Sequence, residues 1–232
     1  MSEYINQMLM AMRRRTDLAS ELVLQPRKTA LIIVDMQYFS ACRTTGMGKQ
    51  FTLDGQADAI AWRFDRIEQK VIPNLQKLLN FFRKNKLKVI YITVYSESGD
   101  YTDIVPHVRA VSKAYGGRIG NIESQILKEI EPVKGETVMN KTTVGAFAST
   151  ALDSHLRRYG IEHLLISGVA TQACPGQTAR SGADLGYHVV MVEDACSDFR
   201  QEDHEWFLSS FERFFGRVEN TENVIAEMSR GL

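Results

Sequence analysis

Short apolar runs, separated by longer stretches of helical periodicity, are the feature that most constrains the fold of this chain. Residues 30–35 (ALIIVD) are apolar up to the final aspartate, as expected of a strand buried on both faces. Similar runs predict further strands at 88–95, 137–139, 163–169, 188–193 and 216–219. Six strands are therefore expected.

Between these runs, apolar residues recur every three or four positions, which predicts helices. The predicted helical segments are 67–82, 151–159, 178–185 and 205–215. Pro73 interrupts the first pattern and leaves the start of that helix open. Strands that alternate with helices predict a three-layer α/β/α fold with a six-stranded, mostly parallel sheet. Functional residues should then lie at the carboxyl ends of the strands.

The domain organisation is expected to be simple. With 232 residues and no linker rich in Pro, Gly or Ser, the chain should form one main domain at 26–232. Residues 1–25 precede the first strand and are expected to form an N-terminal arm, either docked or frayed. The stretch 96–120 is long for a loop in a compact domain, which is typical of a lid, a binding loop or a subunit contact.

Charge and cysteine content argue against several kinds of binding partner and structural site. The chain has 28 basic and 28 acidic residues, so no net charge attracts nucleic acid or an anionic membrane. Cys42, Cys174 and Cys196 show no CxxC spacing, which argues against a disulfide framework or a zinc site. No apolar run approaches a membrane span, and the basic residues 13–15 follow the apolar residues 8–10, the reverse of a signal peptide. We expect a cytoplasmic protein that binds a small molecule.

Chemically distinctive residues follow three of the predicted strands. Asp35 ends the first strand, where a charge is costly unless it is paired or functional. Lys141 follows the third strand by two residues. Cys174 follows the fourth strand and precedes Pro175, which favours the first position of a helix. A thiol that caps a helix beside a lysine should ionise more easily. A lone cysteine is usually a packing residue, but the three strand ends together favour a nucleophile.

Three motifs in order along the chain resemble those of the isochorismatase-like cysteine hydrolases. They are VDMQ at 34–37, NKTTVGAF at 140–147 and GVATQAC at 168–174. This superfamily includes nicotinamidases, N-carbamoylsarcosine amidase and ureide-cleaving enzymes, and the resemblance extends over about 29–225. It implies the Rossmann-like hydrolase fold of that family. It also implies a homo-oligomer, either a dimer or a tetramer.

The resemblance also implies a set of catalytic residues. Asp35, Lys141 and Cys174 fall on the family's acid–base aspartate, lysine and nucleophile. A cis peptide bond is expected between Val169 and Ala170, with the amides of Ala170 and Cys174 forming an oxyanion hole. The implied activity is hydrolysis of a C–N bond in a small amide or ureide, through an acyl-thioester.

The substrate pocket is expected to draw on residues near these motifs. The candidates are Gln37, Phe39, Tyr95, Phe147, Thr171 and Gln172. Two other functions stay open. Hydrolysis of a vinyl ether, as in isochorismatase itself, is disfavoured because those enzymes do without the cysteine. A non-catalytic binding or scaffold protein is disfavoured because it need not keep all three catalytic residue types.

No metal or other cofactor is expected. Nicotinamidases hold a metal through a D-x-H motif and a further histidine, whereas the segments after the first two strands here contain only His107. Asp153 and His155 form a D-x-H sequence, but side chains two residues apart on a helix point about 200° away from each other. They are poorly placed to chelate one ion.

Activity should therefore survive chelation. Turnover of a confirmed substrate, measured after EDTA treatment and desalting, is expected to match that of the untreated enzyme. A large loss that zinc, iron or manganese restores would contradict this prediction.

Overall fold

All six strands of the sheet run parallel. A computed structural model describes residues 22–232, so residues 1–21 of the predicted arm lie outside the described residues. The strands are β1 (Thr29–Val34), β2 (Lys88–Val94), β3 (Thr137–Lys141), β4 (His163–Val169), β5 (His188–Ser197) and β6 (Arg217–Glu219). Their order is β3-β2-β1-β4-β5-β6, and every neighbouring pair is parallel. The predicted α/β fold is confirmed.

Helices cover both faces of this sheet. They are α1 (Gly46–Leu53), α2 (Ala61–Arg66), α3 (Ile72–Lys84), α4 (Pro106–Ala114), α5 (Leu152–Arg158), α6 (Cys174–Asp184), α7 (Gln201–Phe214) and α8 (Thr221–Arg230). Buried side chains of α2, α3 and α8 pack on one face, and those of α5, α6 and α7 pack on the other. Within residues 22–232, no helix is long and apolar enough to cross a membrane.

The central strand β1 explains why its sequence is continuously apolar. Leu31 and Ile33 point into the core formed with α2, α3 and α8. Ile32 and Val34 point into the core formed with α5, α6 and α7. Because successive side chains of a strand alternate between faces, a strand covered on both sides needs apolar residues at every position. Each such side chain contributes about 1.5–3 kcal/mol on burial.

Two strands extend further than their apolar runs predict. β3 continues to Lys141, so this lysine belongs to the strand rather than following it. β5 continues past Glu193, whose carboxylate accepts hydrogen bonds from Arg66 at 3.0 Å and Lys70 at 3.4 Å. These partners allow an acidic residue inside the strand, where the pattern of hydrophobicity predicts its end.

The helical segment around Pro73 is continuous. A wider π-helical turn, Ile67–Val71, joins α2 to α3, and the amide of Ile72 donates to the carbonyl of Ile67, five residues earlier. Pro73 then lies in the first turn of α3, where its missing N–H costs little. The helix that the sequence left open at its start therefore begins at Ala61.

The prediction of a long loop at 96–120 is wrong in its central part. Helix α4 lies within it, and its only buried residue is Ser112. α4 covers little of the core, and its 9 residues give an apolar pattern too short to stand out from the surrounding loop. Helix α1 is also hard to predict from the sequence, because it contains Gly46 and Gly48, which are poor helix formers.

Gly168 illustrates how closely the strand ends approach each other. It lies on β4 opposite Val34, with a φ of 114°, and a Cβ there would collide with the carbonyl of Val34. Gly160 also has a positive φ, of 65°, but faces open space. Comparing the two glycines therefore separates the effect of the backbone conformation from the effect of close packing.

Gly168→Ala should lower the free energy of unfolding by more than about 3 kcal/mol, because backbone strain and a collision add together. Gly160→Ala, the control, should cost only about 1–2 kcal/mol. Urea denaturation of the two variants measures both values. Equal losses would show that Gly168 has no special packing role.

Candidate active site

Asp35, Lys141 and Cys174 meet at the carboxyl edge of the sheet. Lys141 Nζ lies 2.9 Å from Asp35 Oδ2 and 3.4 Å from Cys174 Sγ. Asp35 follows β1, Lys141 ends β3 and Cys174 begins α6 after β4. Because β2 separates β1 from β3, the long lysine side chain crosses the end of β2 to reach the other two groups.

The backbone around Asp35 turns sharply out of the strand. Its φ is 54°, and its amide donates to the carbonyl of Ile92 at 2.8 Å. Its own carbonyl accepts from the hydroxyl of Ser40 at 2.7 Å. Aspartate tolerates this left-handed conformation better than most residues. The carboxylate is therefore held on a fixed backbone at the end of the central strand.

The loop from β4 to α6 presents Cys174. The peptide bond between Val169 and Ala170 is cis, as the motifs imply. The helix begins at Cys174, so Ala173 is the cap residue and the prediction that Cys174 caps the helix is wrong by one position. Within residues 22–232, no backbone carbonyl of the surrounding turns and caps accepts the amide of Ala170 or Cys174. Both amides remain free to donate.

Comparison with known proteins identifies the family of this chain. Residues 29–223 match the isochorismatase domain. The chain belongs to the isochorismatase family. Ureidoacrylate amidohydrolase RutB from Acinetobacter baylyi is 30% identical over 218 residues, which cover 87% of this chain and 84% of that protein. The predicted family is confirmed.

Solved structures show the same fold. An isochorismatase family protein from Desulfovibrio vulgaris is 27% identical with a TM-score of 0.71, covering 88% of this chain and 100% of that one. A cysteine hydrolase from Pseudomonas syringae has a TM-score of 0.75 at 21% identity, covering 91% and 97% of the two chains. The isochorismatase fold thus accounts for nearly all of the described residues.

Burial controls the protonation of this family member's site. Burial, and then the negative charge of Asp35, raises the pKa of Cys174 to about 12, although Lys141 opposes the shift. The expectation of an easily ionised thiol is therefore wrong, since the apolar surroundings outweigh the lysine. Burial also raises the pKa of Asp35, against the influence of Lys141. Both shifts favour the protonated forms of the thiol and the carboxyl group.

Asp35 keeps one oxygen free for proton transfer. Oδ2 accepts from Lys141, whereas the buried Oδ1 has no hydrogen-bond partner within residues 22–232. Burial disfavours the charged form of Lys141, but Asp35 and then Cys174 outweigh it and raise the lysine pKa. The site therefore combines a lysine whose charged form is favoured, a carboxyl group with one unpartnered oxygen and a thiol whose protonated form is favoured.

Gln37, one of the predicted substrate contacts, is held by hydrogen bonds to the backbone. It is fully buried, and its side-chain amide donates to the carbonyl of Ser124 at 2.8 Å and accepts from the amide of Val94 at 2.9 Å. These bonds tie the segment after β1 to the end of β2. Gln37 shapes the backbone of the site rather than offering it a free polar group.

Tyr95 and Phe147, two further predicted substrate contacts, have different surroundings. Lys141 pairs with Val94, so the next side chain, Tyr95, points to the opposite face of the sheet. The ring of Phe147 stacks on that of Tyr187 at 5.9 Å and contacts α6 at Gly182. Gly182 is about 12 Å along the helix axis from Cys174. The ring of Phe147 is thus engaged in packing, whereas Tyr95 lines a surface cleft with Ile119 and Ile126. Their roles as substrate contacts stay predictions.

Thr171 and Gln172 lie in the loop that leads to Cys174, and Phe39 follows Asp35 by four residues. The buried ring of Phe39 packs 6.2 Å from the ring of Tyr115, in the segment that follows α4. Gln172 is exposed, and its amide donates to Asp198 at 2.8 Å. Thr171 is fully buried and lies next to Ala170 in the loop before Cys174.

A buried histidine holds Thr171 in place, which the sequence does not indicate. His204 Nδ1 lies 2.8 Å from Thr171 Oγ1, and His204 Nε2 lies 3.0 Å from Arg66 Nη2. Because a guanidinium only donates, Nε2 accepts and Nδ1 donates to the threonine. Burial and the charge of Arg66 lower the pKa of His204 to about 3, which keeps the ring neutral.

No metal site is found among the described residues. Within residues 22–232, no group of three or more His, Cys, Asp and Glu side chains is placed to hold an ion. Asp153 instead bonds with Arg157 at 3.0 Å and Tyr187 at 2.8 Å, and His155 lies 3.2 Å from Thr137. Asp153 and His155 thus make hydrogen bonds with neighbouring side chains.

Asp35→Asn should make Cys174 more reactive, because the carboxylate that raises the thiol pKa is removed. Alkylation by iodoacetamide at pH 8 should accelerate about tenfold, whereas in Lys141→Ala it should slow about tenfold. Peptide mapping separates Cys174 from Cys42 and Cys196.

Asp153→Asn, a change at an exposed carboxylate on α5, should leave the alkylation rate unchanged. If Asp35→Asn slows the labelling of Cys174, the carboxylate does not raise the thiol pKa, and this account of the site's electrostatics is wrong.

Proposed function

We propose that this protein is a cysteine-dependent amidohydrolase that cleaves a C–N bond of a small amide or ureide through an acyl-thioester. One observation carries the proposal: the Lys141 ammonium lies within 2.9 Å of Asp35 Oδ2 and 3.4 Å of Cys174 Sγ. Relatives named as amidohydrolases support a C–N bond as the bond that is hydrolysed.

In the first half of the reaction, Asp35 acts as a general base. The thiol proton of Cys174 passes to the carboxylate as the sulfur attacks the carbonyl carbon of the substrate. A thiol with a raised pKa suits this sequence, because the proton stays on sulfur until a substrate is in place. When the tetrahedral intermediate collapses, the C–N bond breaks and the leaving nitrogen takes the proton from Asp35. Ammonia or an amine departs, and the acyl group remains on sulfur.

In the second half, the same carboxylate activates water. Asp35 accepts a proton from a water molecule that attacks the thioester carbon. The C–S bond then breaks, the acid product leaves and the proton returns to Cys174. The free Oδ1 of Asp35 supports this role, because Oδ2 can stay bonded to Lys141 while Oδ1 exchanges protons. The net reaction consumes one water per C–N bond.

Lys141 and two backbone amides stabilise charge during these steps. The ammonium offsets the negative charge that moves between Asp35 and Cys174, and its full burial strengthens this effect. The amides of Ala170 and Cys174 are proposed to donate to the developing oxyanion. Removing a single such donor typically costs about 10²–10³ in rate.

The proposal is tested by ammonia release over a panel of small amides and ureides. Cys174→Ser should reduce turnover more than about 10³-fold and should still bind substrate, because a hydroxyl is a weaker nucleophile than a thiol. Cys42→Ser, a change at a half-buried cysteine outside the three meeting residues, is the control and should retain full activity.

Two results would overturn the proposal. One is substantial activity in Cys174→Ser. The other is a wild-type protein that releases no ammonia or amine from any member of the panel while Cys174 remains reactive towards iodoacetamide.

A further inference from the structure

His204 is a buried side chain to which the proposed reaction assigns no step. It lies on α7 with 3% of its surface exposed, and its Nδ1 is 2.8 Å from the hydroxyl oxygen of Thr171. Thr171 lies in the turn that carries both amides of the proposed oxyanion hole, those of Ala170 and Cys174. The contact therefore joins a helix on the far side of β5 to the groups that would stabilise the tetrahedral intermediate.

The turn between Ala170 and Cys174 is short and closed. The amide of Ala173 donates to the carbonyl of Ala170 at 2.8 Å. Of the three residues between the two oxyanion amides, Thr171 alone is buried. A Cβ on Gly176 would lie 2.7 Å from the carbonyl oxygen of Thr171, so the first turn of α6 packs closely against this residue. A displacement of Thr171 would therefore also displace the amides on either side of it.

Three hydrogen bonds anchor this turn on the end of β5 and on α7. The amide of Thr171 donates to the carbonyl of Ser197 at 2.9 Å, and the amide of Gln172 donates to Asp198 Oδ2 at 2.8 Å. The third bond joins Thr171 to His204. The first two bonds hold backbone groups of the turn, whereas the third holds its buried side chain.

Arg66 fixes the orientation of the His204 ring. Its Nη2 lies 3.0 Å from His204 Nε2, and because a guanidinium only donates, Nε2 accepts and Nδ1 carries the proton. Arg66 is itself held by the backbone, since Nε donates to the carbonyl of Cys196 and Nη2 to the carbonyl of Glu193, both at 2.8 Å. The hydroxyl of Thr171 therefore accepts a hydrogen bond from a ring with one tautomer and one orientation.

We propose that His204 is a positioning residue for the reaction: by holding Thr171, it keeps the amides of Ala170 and Cys174 directed at the oxyanion. This inference rests on the proposed function. Oxyanion stabilisation depends on donors whose geometry is fixed before the charge develops, because no free energy is then spent on reorienting them during the reaction. Binding of the ground-state substrate depends less on that geometry. Loss of His204 should therefore lower kcat and leave KM nearly unchanged.

His204→Asn and His204→Gln separate positioning from packing. The amide nitrogen of the shorter Asn lies where Nδ1 lies and can donate to Thr171, whereas the amide of the longer Gln reaches the position of Nε2 and can accept from Arg66. Gln is closer to His in volume, so a role in packing alone predicts that Gln is the better replacement. Positioning predicts the reverse order.

The first measurement is turnover of a substrate found by ammonia release. His204→Leu should lower kcat about 10–100-fold, His204→Gln nearly as much and His204→Asn less than about threefold, with KM within about twofold of the wild type. His163→Leu, which replaces an equally buried histidine at the amino end of β4, is the control and should retain kcat. A His204→Gln variant as active as His204→Asn overturns the inference. So does a loss of kcat/KM that arises from KM alone.

The second measurement needs no turnover. Acetaldehyde adds reversibly to a thiol: the sulfur–carbon bond forms, the carbonyl π bond breaks and the thiol proton moves to the oxygen. The oxyanion amides can donate to the oxygen of this tetrahedral adduct. Its dissociation constant is measured from the protection of Cys174 against iodoacetamide, followed by peptide mapping. The constant should rise about tenfold in His204→Leu and in Thr171→Val, and stay within about twofold of the wild type in His163→Leu.

Thr171→Val keeps the test decisive if His204→Leu does not fold, because valine has the shape of threonine without the hydroxyl. The double variant should bind acetaldehyde no more weakly than either single variant, since both changes break one contact. Unchanged acetaldehyde affinity in the folded variants overturns the role of His204 alone. Wild-type protection no stronger than that of the unfolded protein also overturns it. A weaker adduct in the variants, with no turnover of any amide or ureide by the wild type, overturns the proposed function and leaves His204 as the residue that positions the turn.

Discussion

The buried ion pair between Lys141 and Asp35 is the interaction on which the site depends. Both side chains are almost completely removed from water, at 0% and 3% exposure. Desolvating two charges costs several kcal/mol per ion, and only a short, well-oriented contact compensates. The sheet provides it by ending β1 and β3 at the same edge. The position of Cys174 then follows, because its sulfur shares the lysine with the carboxylate.

In the proposed mechanism, this ion pair serves to transfer one proton rather than to hold Cys174 as a thiolate. Burial and Asp35 hold the proton on Cys174, while Lys141 lowers the cost of transferring it.

Much of the fold could be predicted from the sequence because parallel strands buried on both faces need unbroken apolar runs. β1 and β4 show this directly, and their ends locate Asp35 and the loop before Cys174. α4 could not be predicted in the same way, since it buries only Ser112. The low pKa expected for Cys174 is wrong. That expectation considered only the start of the helix and a nearby lysine, whereas burial, which depends on the whole fold, has the largest effect on the pKa.

The sequence by itself determined the α/β class, the order of the strands along the chain, the family and the residue types at three strand ends. Only the tertiary structure decided which side chains share the site. It directs Tyr95 to the opposite face of the sheet, commits Gln37 to hydrogen bonds with the backbone and brings His204 onto Thr171. The physical reason is that hydrophobic pattern and local motifs act over a few residues. The orientation and burial of a polar side chain depend instead on contacts between segments far apart in the chain.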